Sequence, residues 1–239
     1  MNIILLDPEQ AIDETHFALD SRQSEHLKKV IKAEVGDKLR VGIINGPMGE
    51  ATYLGVNSDG ITEIEIIQLT QQAPKPLPLT LVLALPRPNM LKRTLLNISA
   101  MGVKKIILLN SAKVEKSYWQ SPVLKADNLE RILLEGLEQA RDTQLPELQM
   151  MTRFRPYVED LLPREMAGKL ALLAHPYQAD DCPINLTQES ILAIGPEGGW
   201  NEFEVSKWHE AGFKSVHLGE RILKVETAVP VLLSRLYPA

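Results

Sequence analysis

The stretch Ile191–Leu233, ILAIGPEGGWNEFEVSKWHEAGFKSVHLGERILKVETAVPVLL, decides how this chain is read. An apolar run, Ile191-Leu192-Ala193-Ile194, stops at Gly195-Pro196-Glu197-Gly198-Gly199. A shorter run around Val216–Leu218 stops at Gly219-Glu220-Arg221. Two buried strands that each end in a loop of bare backbone and a carboxylate point to a small-molecule site at strand ends, where open α/β sheets place their ligands. The spacing predicts a helix after Asn201, with Glu204 three residues on completing a capping box. Pro230 lies in the final apolar run and costs roughly 3 kcal/mol in a helix interior. The last helix is therefore expected to begin at Ala228 with Thr227 as its cap, so that Pro230 falls in the first turn. Gly219–Glu226 is then a loop beside Gly195–Gly199, if their two strands pair.

Outward from this stretch, alternation continues. Leu79–Leu85 is an apolar strand broken by Pro86-Arg87-Pro88, and Asn89–Met101 is a helix with Leu91, Leu95, Ile98 and Met101 on one face. Lys105–Asn110 and Lys169–Ala174 are further strands, the latter stopped at His175-Pro176. Ser121-Pro122 opens a helix that turns Leu129, Ile132, Leu133 and Leu137 inward. Strands alternating with helices predict an α/β domain with a mainly parallel sheet. Gln71–Pro78 holds three prolines in eight residues and reads as a stiff linker. Before it, short strands over Lys38–Ile44, Glu50–Val56 and Ile61–Leu69 are separated by tight turns. With a helix over Ser24–Ala33 that faces Leu27, Val30 and Ile31 inward, they suggest a small barrel.

The 239 residues favour two domains, and 44% hydrophobic composition suffices for a sizeable core. No apolar run approaches a membrane span, and the first residues carry no basic leader, so a cytoplasmic protein is expected. Cys182 is the single cysteine, which excludes an intrachain disulfide, and an inert thiol is expected there. The five histidines lack metal spacing, and no metal is expected; His217 is read as a hydrogen-bonded core imidazole. The net charge of −5 gives no global reason to expect nucleic acid. Within residues 1–72, however, every basic residue lies between Arg22 and Arg40. This is either a solvated face or a set of phosphate contacts.

The glycine loops do not follow the phosphate-binding fingerprints: neither GxGxxG nor GxxxxGK[ST] occurs. Pro196 also removes a loop N–H. Such a loop either makes a mere turn or presses its backbone against a planar base or a methionine chain.

The combination IGPEGGWNEFEV, a GF some ten residues on, and HLGERILKVETA over Ile194–Ala228 closely resembles the signature of the RsmE family of SPOUT-class RNA methyltransferases. Weaker likeness extends along the chain, through SEHLKKVIKAEVGDKLRV, GLEQARDTQLPEL and LALLAHP. The resemblance implies an α/β trefoil-knotted SPOUT methyltransferase domain over residues 73–239 and an N-terminal PUA-like β-barrel, binding RNA, over residues 1–72. It implies S-adenosylmethionine as cofactor and methylation of N3 of a uridine in 16S ribosomal RNA, free or in an assembled small subunit, by a homodimer. Carried over by motif, Leu173, Ala174, His175, Gly195, Pro196, Glu197, Gly198 and Gly199 line one side of the cofactor. Leu218, Gly219, Arg221, Ile222, Leu223, Thr227 and Ala228 line the other. Arg221 orients or stabilises the uracil, and Glu226 or Glu197 is the candidate base; a dipole partner for Glu226 and a loop-bonding role for Glu197 are the alternatives. Arg22, Lys28, Lys29, Lys32, Arg40 and Lys224 are expected to meet RNA. Lys224 stands where the family usually carries arginine, Val225 where it carries threonine, and LKRTLLNISAMGVKKI lacks the customary glutamate-lysine pattern. Two other readings stay open: a non-catalytic RNA-binding or ribosome-assembly factor with the same fold, and a methyltransferase for a different rRNA or tRNA nucleotide. A nucleotide-binding oxidoreductase is disfavoured by the missing fingerprint.

Overall fold

A computed structural model describes residues 2–238. The chain forms two compact units: the N-terminal segment through Lys75 with Leu134–Leu145, and Pro76–Leu133 with the residues from Pro146 onward. The division at Lys75 falls inside the proline-rich linker, slightly beyond residue 72. The assignment of Leu134–Leu145 to the first unit was not expected from sequence.

In the first unit, β1 (Ile4–Leu6), β2 (His16–Leu19), β3 (Lys38–Ile43), β4 (Met48–Val56) and β5 (Thr62–Gln71) form one sheet in the order β1-β3-β4-β5-β2. β1 runs parallel to β3 and the other pairs are antiparallel. The period of two in β5 puts Thr62 and Ile64 inside, with Phe17, Leu19, Leu39, Val41, Ala51 and Tyr53 around Ile64. The expected helix over Ser24–Ala33 is instead a short α1 (Ser21–His26), capped by Asp20 and Gln23, followed by a π-helical turn, Leu27–Ile31. Leu27 is buried, but Val30 is 66% and Ile31 44% exposed. The i→i+5 turn swings Val30, three positions on, farther from the face of Leu27 than an α-helix would, and Ile31 is the last residue before the chain turns left-handed at Lys32 (φ 57°).

Leu134–Leu145 joins this unit for clear physical reasons. Leu137 packs with Ile3, Leu5 and Met48. Glu138, 2% exposed, takes both arms of the Arg22 guanidinium at 2.7 and 2.8 Å. The Thr143 hydroxyl donates to the Gly46 carbonyl at 2.6 Å.

The second unit is a seven-stranded sheet ordered β10-β12-β9-β11-β6-β7-β8, and every strand pair is parallel. In chain order it runs β6 (Leu79–Ala84), α2 (Pro88–Ala100), β7 (Lys105–Leu109), α3 (Ala126–Ala140, its later turns counted with the first unit) and β8 (Glu147–Met151). Short α4 (Phe154–Pro156) and α5 (Leu162–Glu165) then flank a π-helical turn. β9 (Leu170–Ala174), β10 (Asp180–Asp181), β11 (Ser190–Ile194), α6 (Glu202–Glu210), β12 (Lys214–His217) and α7 (Val225–Leu236) complete it. β6 and β11 are buried along their whole length, as expected of strands covered on both faces. From β6 the chain first builds outward through β7 and β8, then crosses to the other side, which makes β6/β11 a switch point.

Several local expectations are corrected. Ser121 caps a 3-10 turn, Pro122–Leu124, and α3 begins only at Ala126, although Leu129, Ile132, Leu133 and Leu137 are buried as its spacing predicts. α7 starts at Val225 rather than Ala228, so Pro230 does lie inside it. The buried stripe Val225, Val229, Leu232, Leu233 and Leu236 explains the earlier start, since burying Val225 with Val229 needs helix at both positions. β11 and β12 are not neighbours. β9 lies between them, its last residue Ala174 facing Ile194 on one side and Val216 on the other.

Breaking the Arg22–Glu138 pair leaves a buried carboxyl group without its partner. Arg22→Ala is expected to lower the unfolding free energy by about 1–3 kcal/mol, below the full buried-pair range because Arg22 is partly solvated. Urea denaturation of the variant against the parent protein measures it, and unchanged stability would show the pair to be idle.

Candidate active-site cleft

The C-terminal ends of β6, β9, β11 and β12 open into one cleft of about 1730 Å³ within the second unit. Small-molecule sites usually occupy roughly 300–1,000 Å³, so this cleft has room for a cofactor and a reacting nucleotide together. Its walls include Arg87 after β6, Ala174 to Gln178 after β9, Gly195 to Asn201 after β11, and Leu218, Gly219 and Arg221 to Glu226 after β12. The two glycine loops of the opening stretch thus share one cavity although their strands are separated.

The loop after β11 is held rigid. Asn201 accepts from the Glu204 N–H at 2.8 Å, and Glu204 returns an oxygen to the Asn201 N–H at 3.0 Å, the expected capping box at the start of α6. The other Glu204 oxygen accepts the Ala112 N–H at 2.7 Å, which ties this loop to the one after β7. Lys113 Nζ donates to the Gly198 carbonyl at 2.7 Å. The Gly199 N–H donates to the Pro196 carbonyl at 2.8 Å, with Gly199 at φ 66°, where a glycine is favoured. A Cβ on Gly195 would lie 3.2 Å from Trp200 Nε1. Trp200 itself is packed on Phe154 and Trp208, ring centroids 6.1 and 5.5 Å away. The backbone of the loop therefore rests directly on an aromatic cluster.

Of the three proposed catalytic residues, Arg221, Glu226 and Glu197 all line the cleft. Arg221 is exposed on the loop, and Glu226 sits in the first turn of α7. Glu197 Oε1 accepts the Arg87 backbone N–H at 3.0 Å. This is the loop-bonding role weighed for it, made to a loop 110 residues away. Ala174, His175, Gly195, Pro196, Gly198, Gly199, Leu218, Gly219, Ile222, Leu223, Lys224 and Ala228 also line the cleft. Leu173 and Thr227 do not. Leu173 is fully buried inside β9, and Thr227, third in a helix that begins at Val225, is exposed off the cleft wall. Burial, then the charges of His209 and Lys113, hold the His175 imidazole below its usual pKa, so it is neutral at neutral pH. His217 is a correction: it is partly exposed on the cleft wall, and its Nδ1 accepts the Gly219 N–H at 3.0 Å. Cys182 is buried and free, and burial pushes its thiol pKa up, consistent with an inert group.

Sequence reasoning missed Arg87, Asn89, Arg93, Lys113 and Tyr118, which form a further wall. The Pro86-Arg87-Pro88 break after an apolar strand was the available signal. Lys113 and Tyr118 carried none, because only the parallel pairing of β6 with β7 brings their loop to this end.

The basic residues expected to meet RNA lie in the first unit, apart from Lys224. Lys28, Lys32 and Arg40 are exposed, Lys29 pairs with Glu25, and Arg22 is committed to Glu138. Among the described residues no group of His, Cys, Asp and Glu is arranged to hold a metal ion, and no helix is long and apolar enough to cross a membrane.

Comparison with known proteins agrees with this geometry. Residues 73–237 match the family model of the RNA methyltransferase domain, so the sheet and its cleft fall in that class. The chain is 32% identical over 235 residues to ribosomal RNA small subunit methyltransferase E of Treponema pallidum, covering 95% of this chain and 87% of that one. It is 28% identical over 236 residues to the Synechocystis protein of the same name, covering 98% and 76%. The chain belongs to the ribosomal RNA small subunit methyltransferase E family. Its fold is that of the Neisseria gonorrhoeae enzyme of that name, solved bound to S-adenosyl methionine (TM-score 0.78, 21% identity, 98% and 95% covered). A putative methyltransferase from Legionella pneumophila, solved with the same cofactor, is similar (TM-score 0.77, 22% identity, 98% and 95% covered).

Glu204 tests the rigidity of the loop. Glu204→Gln would turn an amide NH2 toward one of two backbone N–H donors. It is expected to cost about 1–3 kcal/mol of stability and to weaken ligand binding in the cleft, as read by denaturation and calorimetry. A variant equal to the parent in both would show that the clamp is unimportant.

Proposed function

We propose that this protein transfers a methyl group from S-adenosylmethionine to N3 of a uridine in the 16S RNA of the small ribosomal subunit. The observation that carries the reading is one cleft, at the ends of four parallel strands, that brings a glycine loop braced on Trp200 together with Arg221 and Glu226. The family membership and the cofactor in the solved relatives support the same chemistry.

The residues present suit the cofactor. The bare backbone at Gly195, Gly198, Gly199 and Gly219 allows close approach, and Ala174, Pro196, Ile222 and Leu223 offer apolar surface to an adenine. When bound, the sulfonium supplies an electrophilic methyl whose leaving group departs neutral. The protein must align N3 with that methyl, which is the main entropic gain. It must also take the N3 proton and stabilise charge on the uracil oxygens. Arg221 serves the oxygens. Glu226 is the better base of the two acids, because Glu197 Oε1 is already occupied by the Arg87 N–H.

The same reading makes residues 1–72 a PUA-like barrel that binds RNA through Lys28, Lys32 and Arg40, with Lys224 contacting RNA at the cleft. It makes residues 73–239 a trefoil-knotted SPOUT domain, an exception to the near-absence of knots. It also has the protein act in the cytoplasm as a homodimer.

Purified protein incubated with labelled cofactor and small-subunit RNA, free or assembled, tests the proposal. Label is expected as N3-methyluridine by nucleoside mass spectrometry, and Arg221→Ala is expected to abolish it with the fold intact. Label in another nucleotide would overturn the substrate, and cofactor binding with no labelled RNA would favour a non-catalytic factor. Glu226→Gln should lower kcat by roughly 10²- to 10⁴-fold if Glu226 is the base. Glu197→Gln should leave kcat within a few fold, since its amide oxygen still accepts the Arg87 N–H. The reverse pattern would exchange their roles.

A further inference from the structure

The wall of the cleft that the sequence did not point to has a charge of its own. Arg87, at the N-cap of α2 after β6, and Arg93 on α2 are both exposed and both line the cavity. The Arg87 backbone N–H is held by Glu197, and its guanidinium shares the wall with Tyr118, which raises the guanidinium pKa and whose hydroxyl donates to Glu115 at 2.9 Å. The Lys113 charge is directed into the Gly198 carbonyl, and the other cations that line the cavity on this wall, among the described residues, are the two arginines. Glu202 on α6 lines another side of the cavity and repels a polyanion there, while Glu210 beside it is paired with Lys207 at 2.7 Å. On the loop after β12, Arg221 and Lys224 face the cavity.

N3 lies on the Watson–Crick edge of uracil, so a base methylated there must reach the cleft unpaired, from a strand with a phosphate on each side. Phosphate contacts set the register of such a strand, and a pre-oriented arginine meets a phosphate with two parallel hydrogen bonds. We propose that Arg87, anchored through its backbone by Glu197, beside Tyr118 and assisted by Arg93, is a positioning residue that holds a phosphate flanking the target nucleotide, so that the RNA strand enters between α2 and the loop after β12. This rests on the reading of the cleft as an RNA methyltransferase site. It assigns the substrate's backbone to residues outside the two glycine loops.

The test compares the parent protein with Arg87→Ala, Arg87→Lys and Arg93→Ala in steady-state methylation of small-subunit RNA. Cofactor affinity is measured by calorimetry, and RNA binding over a series of salt concentrations. For Arg87→Ala, cofactor affinity is expected within about twofold of the parent. Its KM for RNA is expected to rise roughly 10- to 100-fold, as for loss of a charge-assisted bond, while kcat falls far less. The slope of log affinity against log salt should flatten by about 0.7, one single-strand phosphate contact. Arg87→Lys should keep the parental slope and recover part of the KM, because it retains the charge but not the bidentate fork. Arg93→Ala should show the same changes as Arg87→Ala in smaller measure. An unchanged KM and slope in Arg87→Ala, or cofactor affinity falling in step with RNA affinity, would overturn the inference while an active parent leaves the methyltransferase reading standing. A parent that transfers no methyl to RNA would overturn both.

Discussion

The site depends on one buried carboxyl group. Glu204 uses one oxygen to close the capping box at the start of α6 and the other to hold the Ala112 N–H on a loop 92 residues earlier in the chain. Two backbone N–H groups are satisfied at once by a carboxylate that burial would otherwise leave without partners. The loop after β11 is clamped from its far end, and Lys113 at the neighbouring position closes the clamp on Gly198. Beneath it, Trp200 joins Phe154 and Trp208 in tilted and edge contacts that fill the space a side chain on Gly195 would need. A loop made of glycine and proline is thereby given one shape without side chains of its own. That is what a cleft needs if the backbone itself is to meet a flat ligand.

The parallel sheet converts this local rigidity into a site with several walls. Because β9 is inserted between β11 and β12, the two glycine loops stand apart, and the His175 loop lies between them. Arg221 and Glu226 come from the loop after β12 and the start of α7, while Arg87 comes from the end of β6 across the sheet. Pro230 removes one N–H from the interior of α7, yet the buried stripe from Val225 to Leu236 keeps the helix intact around it. The first turn of α7, with Glu226, is thus carried on a packed helix rather than on a mobile loop.

Much of this was legible in the sequence where the signal is local. The capping box at Asn201 and Glu204, the buried strands at Leu79 and Ile191, and the glycine stops after them follow from spacing and residue chemistry. The motif over Ile194–Ala228 named the family. The rest depended on tertiary pairing. Strand order cannot be read from apolar runs, so the insertion of β9 was not visible. The transfer of Leu134–Leu145 to the first unit depends on Glu138 meeting Arg22 and Leu137 meeting Ile3, contacts more than a hundred residues apart in sequence. The π-helical turn at Leu27–Ile31 defeated a helix-period reading, and the buried Val225 outweighed the proline in placing the start of α7. Arg87 and Tyr118 line the same cleft because β6 and β7 pair in parallel, and beyond the proline break around Arg87 nothing in the sequence marks either residue.

Hydrogen–deuterium exchange of the intact protein, with and without saturating S-adenosylmethionine, tests most directly the claim that this cleft is the methyl-donor site. The account predicts slowed exchange at the amides of His175–Gln178, Gly195–Asn201 and Leu218–Lys224, with the five-stranded unit unchanged. Protection confined to that unit, or none in the three loops at saturation, would contradict it.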